Sequence, residues 1–165
     1  MPLDSIQTGA IAPAFALLPA QMSGRRATVM LLGIGLQESD LQYRRQKNGP
    51  ARGLWQFEKA GGVAGVLNFR TTQSIAAAVC LNQGIAPNAQ AVYDSLEGND
   101  VLAAAFARLL LWTDPKPLPA LGDVEQAWQL YIRVWRPGAL ARDPEGLRKR
   151  WTGNYAQALE QVALA

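Results

Sequence analysis

The 165-residue chain is 49% hydrophobic and 18% charged, a balance that excludes a disordered tail and fits one compact domain, residues 1–165, with a packed interior and no room for a second. Its formal charge is +3, with basic residues grouped at Arg44, Arg45, Lys47 and Arg52 and again at Arg142, Arg148, Lys149 and Arg150. No aromatic residues interleave these groups, so a nucleic-acid-tracking stripe is not expected. Histidine is absent and Cys80 is the only cysteine, which excludes zinc clusters, Cys-His nucleophiles and Ser-His-Asp triads, so that no metal and no cofactor is expected.

Taken in chain order, "AIAPAFALLPA" reads as a short core helix from Ala10 to Ala20. It is not a secretory leader, because Pro13 and Pro19 interrupt it and Asp4 stands where a positive segment belongs, so no signal peptide is expected. No apolar run reaches the length of a membrane span. In "SGRRATVMLLGIGLQES", Ser23 reads as the N-cap of a helix that is apolar nearly all round from Val29 to Leu36, the mark of a central helix buried on several sides. Residues 40–55 are polar and contain the loop signal "NGPARG".

Helical periodicity resumes over Glu58–Asn68, Thr72–Gln83, Asn88–Leu96 and Asp100–Trp112, with Thr71 and Asn99 as caps. Cys80 lies within the apolar "SIAAAVCL" as a small core residue. Pro115, Pro117 and Pro119 forbid a continued helix. A further helix covers Asp123–Arg136 and stops at Pro137-Gly138, its Trp128, Tyr131 and Trp135 sharing one face, and a last helix starts near Asn154. The expected class is all-α with short connections.

Glu38 ends the most apolar of these helices. There the low dielectric and the negative end of the helix dipole both disfavour its ionised form. Lifting a glutamate from about 4.3 to about 6 takes roughly 2.3 kcal/mol and makes a proton donor near neutral pH. Such an acid can protonate a glycosidic oxygen. Shortly after, Gly49, Pro50 and Gly53 permit a sharp turn and close backbone approach, Gln56 offers a donor and an acceptor, and Trp55 and Phe57 supply apolar surface for sugar faces.

Glu38-Ser39, followed by "ARGLWQ" with Gln56 18 positions after the glutamate, resembles the pattern of the lytic transglycosylase and goose-type lysozyme superfamily: Glu-Ser at the end of a buried helix, a loop, then Gly-Leu-Met-Gln. The resemblance covers residues 24–58, with Trp55 in place of the methionine. It implies a lysozyme-like fold and a peptidoglycan-cleaving activity on the bond between N-acetylmuramic acid and N-acetylglucosamine. Glu38 would be the catalytic acid, and Ser39, Gly53, Trp55 and Gln56 would bind the glycan strand. The family's later Ala-Tyr-Asn-x-Gly string does not occur here, and Tyr131 is the positional candidate for its tyrosine.

Goose-type lysozymes also place an acid two residues past the motif glutamine, where Glu58 stands. Their other auxiliary acid finds no match, since no Asp or Glu lies between Asp40 and Glu58. The expected product is therefore that of a lytic transglycosylase, in which the muramic C6 hydroxyl attacks intramolecularly and no second acid is needed. The alternatives are a hydrolytic muramidase using Glu58 and, from another class, a catalytically silent glycan-binding or virion structural protein of the same fold. A nucleic-acid-binding reading rests on charge alone. The expected setting is the bacterial periplasm and cell wall, as a bacteriophage endolysin or virion component.

Overall fold

The computed structural model describes residues 2–164, and among them the protein is all-helical, with no strand. Extended pairing is confined to two isolated antiparallel bridges, Arg45 with Arg52 and Arg52 with Phe57. No helix is long and apolar enough to cross a membrane among the described residues.

The first rod comprises α1 (Leu3–Ile6), a π-helical turn (Gln7–Ile11) and α2 (Ala12–Ala16), with helical backbone through both joints. It thus begins before the Ala10 expected from sequence and stops before Pro19. Pro13 does not break it, because the turn ahead of it is widened: the Ala12 N–H reaches back five residues to the Gln7 carbonyl, easing the crowding a proline imposes. Ile6, Ala10, Ile11 and Ala14 are its buried stripe.

The central helix, α3 (Arg25–Ser39), buries eleven of its fifteen residues. Its N-cap is Gly24, at φ 121°, and not Ser23, whose hydroxyl donates instead to the Ala20 carbonyl. Burial on several sides is achieved with two glycines. Gly33 lies under Trp151 and Tyr155 of α10 (Pro144–Leu164), and Gly35 lies under Leu41 and Trp55. A Cβ at Gly35 would stand 2.2 Å from Leu41 Cδ2, so the close approach requires glycine. Each helix glycine costs about 1 kcal/mol of propensity; the packing it admits offsets this. The helix ends at Asp40, in the left-handed region at φ 53°, with the Leu41 N–H bonded to the Gly35 carbonyl and the Leu41 side chain buried, a C-terminal motif with its usual apolar contact.

A second π turn (Lys59–Val63), α4 (Ala64–Asn68), α5 (Gln73–Asn82), α6 (Ala89–Ser95) and α7 (Asp100–Trp112) complete the middle of the chain. Asn88 and Asn99 cap α6 and α7 by accepting from the Ala91 and Leu102 amides. The cap position of α5 is Thr72, not Thr71, and its buried hydroxyl donates to the Val66 carbonyl. Cys80 is buried in the core. After the proline-rich turn come α8 (Val124–Trp135) and the short α9 (Ala139–Arg142). The last helix starts at Pro144, ten residues before the Asn154 expected from sequence. Pro144 suits a first helical turn and Asp143 Oδ1 accepts from the Gly146 amide at 2.9 Å. This long helix packs along α3 and buries Leu147, Trp151, Tyr155, Ala158 and Val162.

Candidate active site

Glu38 occupies the last turn of α3, partly exposed, where Tyr131 of α8 and Asn154 of α10 reach that helix. The Tyr131 hydroxyl, from α8, donates to Glu38 Oε1 at 2.7 Å. Tyr131 is itself buried and held by a parallel stack on Trp151 of α10, with centroids 4.8 Å apart and planes 5° from coplanar. Trp128 and Tyr155 extend this aromatic cluster. Beside it, Gln37 donates to the Leu147 carbonyl and accepts from Asn154 Nδ2 at 2.8 Å, tying α3 to α10 next to the acid.

Burial pushes the Glu38 carboxyl up from 4.5 to about 7, against the opposing pull of the Tyr131 hydrogen bond, which favours the carboxylate. Tyr131 is raised, by its own burial first and by the nearby Glu38 charge next, so the phenol stays a donor. Its bond to Oε1 leaves Oε2 to carry the proton. The carboxyl therefore keeps a substantial protonated fraction at neutral pH, with a donor already in place for the anion it becomes.

The Gly-Leu-Trp-Gln segment is a tight turn closed by the Gln56 N–H on the Gly53 carbonyl, and flanked by the mutual Arg52–Phe57 backbone pair. Side chains from other parts of the molecule and its own Trp55 indole anchor it. Ser39 Oγ donates to the Leu54 carbonyl at 2.6 Å, Trp55 Nε1 to the Leu31 carbonyl at 2.8 Å, and Trp135 Nε1 to the Trp55 carbonyl at 3.0 Å. Gly53 sits at φ 74°, where a Cβ would meet the Leu96 carbonyl at 3.0 Å.

These bonds correct three of the expected substrate contacts. Trp55 is wholly buried against α3 and is core, not cleft wall, because Gly35 opens a seat for its indole. Ser39 borders the cleft but is buried, its hydroxyl directed at Leu54, so it positions the turn. Gly53 is buried under Leu96 and shapes the turn without facing a ligand. Gln56 does reach the surface: its Nε2 donates to the Gly53 carbonyl at 2.9 Å, which leaves the amide oxygen to accept from a ligand.

Glu38, Gln56 and Asn154 line a cleft of about 640 Å³, walled also by Tyr43, Lys47 and Arg150. Tyr43 was not expected here. It is 64% exposed and lines the cleft. Its signal in the sequence was an aromatic residue in the polar "LQYRRQ", outside any helical stripe. A second depression of about 680 Å³, lined by Phe69, Trp135, Asp114 and Arg133, meets the first at Gln56. Glu58 lies in this second depression and does not line the Glu38 cleft. Of the non-glycine residues with positive φ, Asp40, Gln56 and Arg136 line one or both cavities and Leu41 and Asn48 adjoin lining residues, so the unusual backbone gathers around this groove.

The arrangement can bind a chain-like polar ligand across Gln56 and deliver a proton to it from Glu38. Among the described residues no group of three or more acids or cysteines is placed to hold a metal ion. Compared with known family models, curated proteins and solved structures, the chain matches none of them.

Proposed function

We propose that the protein is a peptidoglycan-cleaving glycosidase of the lytic transglycosylase type, with a lysozyme-like arrangement of its helices, acting on the bond between N-acetylmuramic acid and N-acetylglucosamine. One observation carries the reading: the Glu38 carboxyl, raised to about 7, opens on a cleft and accepts a hydrogen bond from Tyr131. Glu38 protonates the glycosidic oxygen as the bond breaks. Tyr131 then stabilises the carboxylate, which takes the proton of the muramic C6 hydroxyl as that oxygen closes a 1,6-anhydro ring. Intramolecular attack has a high effective molarity, so one acid suffices.

The hydrolytic alternative would need Glu58 to hold a water across the bond from Glu38. Glu58 is exposed and lines the neighbouring depression, which favours the intramolecular route. On this reading the protein works on the bacterial wall, as a phage lysin or virion component. Digestion of purified peptidoglycan followed by mass spectrometry tests it: 1,6-anhydromuramic ends are expected. Reducing muramic ends would establish the hydrolytic route, and an undigested sacculus would leave the glycan-binding alternative.

A further inference from the structure

The Glu38 cleft carries three cations, Arg45, Lys47 and Arg150. Arg45 is neutralised by Glu97 at 2.9 Å. Lys47 and Arg150 form no ion pair among the described residues. The contrast with Arg148, one half-turn earlier on α10, is informative, because that guanidinium is bound to Glu125 at 2.7 Å and packed on Trp128. Arg150 instead lines the cleft, and its charge is felt at Tyr131. Against these cations the lining carries two acids, Asp40 and Glu38, and burial holds the Glu38 carboxyl well above the usual carboxylate range. The mouth of the cleft is therefore positive.

The backbone of an N-acetylated hexosamine strand is uncharged and gives a positive rim nothing to attract. Negative charge on such a strand sits on the lactyl arm of muramic acid, either as the lactyl carboxylate itself or on the peptide attached to it. We propose that Lys47 and Arg150 form a carboxylate-binding subsite for this arm and so select muramic acid over plain N-acetylglucosamine in the Glu38 cleft. The inference rests on the glycosidase reading. Lys47 comes from the loop after α3 and Arg150 from α10, so the subsite spans two elements that also frame the acid. A carboxylate held between them would fix which sugar lies beside Glu38.

Isothermal titration of the Glu38→Gln protein, which stops turnover, against three saccharides of equal length tests the subsite. The probes are chitotetraose, a peptide-free muramic tetrasaccharide and its peptide-bearing form. A carboxylate preference of about tenfold over chitotetraose at low salt is expected, shrinking at high salt. Adding Lys47→Gln and Arg150→Gln should bring the preference below about twofold, while chitotetraose still binds. A preference in the peptide-free arm identifies the lactyl carboxylate, and one confined to the peptide-bearing arm identifies the stem peptide. A preference that survives both substitutions, or none in the parent, overturns the subsite and leaves the glycosidase reading standing. Displacement of bound saccharide by a short DNA more readily than by the muramic ligands also overturns it, in favour of a phosphate-binding rim. If no saccharide binds, both inferences fall.

Discussion

Glu38 and Glu58 stand on opposite sides of the Gly-Leu-Trp-Gln turn in the sequence, and the structure treats them in opposite ways. Glu38 closes a regular helix, has a phenol on one oxygen and is surrounded by enough protein to lift its pKa to about 7. Glu58 precedes an irregular π turn containing Gly61-Gly62, is exposed, and has no side-chain hydrogen bond or ion pair among the described residues. The difference shows what distinguishes a poised acid from a surface one. Both lie near the same turn, but only Glu38 is enclosed by side chains from other helices.

Substitutions can widen or erase that contrast. The largest effect is expected from Glu38→Gln, which removes the donor and should lower turnover of peptidoglycan by about 10²- to 10⁴-fold with helical circular dichroism unchanged. Near-parental turnover would abolish the distinction between the two acids. The same protein should also melt differently with pH. Below about pH 4.5 the Glu38 carboxyl is protonated in folded and unfolded chains alike and contributes nothing. As pH rises the unfolded chain ionises first while the folded one stays neutral, so the native state loses stability up to about pH 7, by ~2–3 kcal/mol for this partly exposed group. Glu38→Gln should accordingly raise the melting temperature at pH 8 and leave it nearly unchanged at pH 4.5; an equal change at both would mean the acid is not desolvated.

Tyr131→Phe comes next, with about a tenfold loss of turnover as the carboxylate formed on proton donation loses its partner. Because the phenol favours the ionised form, its removal should move the alkaline limb of the pH–rate profile upward. A downward move would reverse the assignment of donor and acceptor. The smallest effect belongs to Glu58→Gln, with less than about a twofold change in rate if the C6 hydroxyl is the nucleophile. A loss comparable to that of Glu38→Gln, with reducing ends as the product, would make the two acids partners.

What the sequence made legible was local. The α7 boundaries and its Asn99 cap follow from a cap residue and an apolar run that need no distant partner. Glu38 stands out in the sequence because its helix-end position after an apolar run coincides with the spacing to Gly53-Leu54-Trp55-Gln56, and its burial against Tyr131 agrees with the first of these. Tyr131 came from its place in an aromatic stripe, and the hydrogen bond realises that placement through a partner 93 residues away. The start of α10 was missed although Asp143-Pro144 is a cap signal, because Gly146, Gly153 and a run of charges obscured the four-residue spacing of Leu147, Trp151 and Tyr155. The burial of Trp55 was not legible at all. An indole beside a polar loop reads as a ligand platform until Gly35, twenty residues earlier in the chain, is seen to make room for it.

The stack of Tyr131 on Trp151 also ties the acid to a distant part of the chain. α3 is complete early in the chain, but its acid is flanked by a helix that begins at Pro144. Without α10 the end of α3 would lose the stack that holds Tyr131 and part of the cover that desolvates Glu38. The raised pKa of the acid therefore depends on residues from the far end of the chain, and a chain cut ahead of Trp151 is expected to carry every residue of the Glu-Ser and Gly-Leu-Trp-Gln motifs without a poised proton.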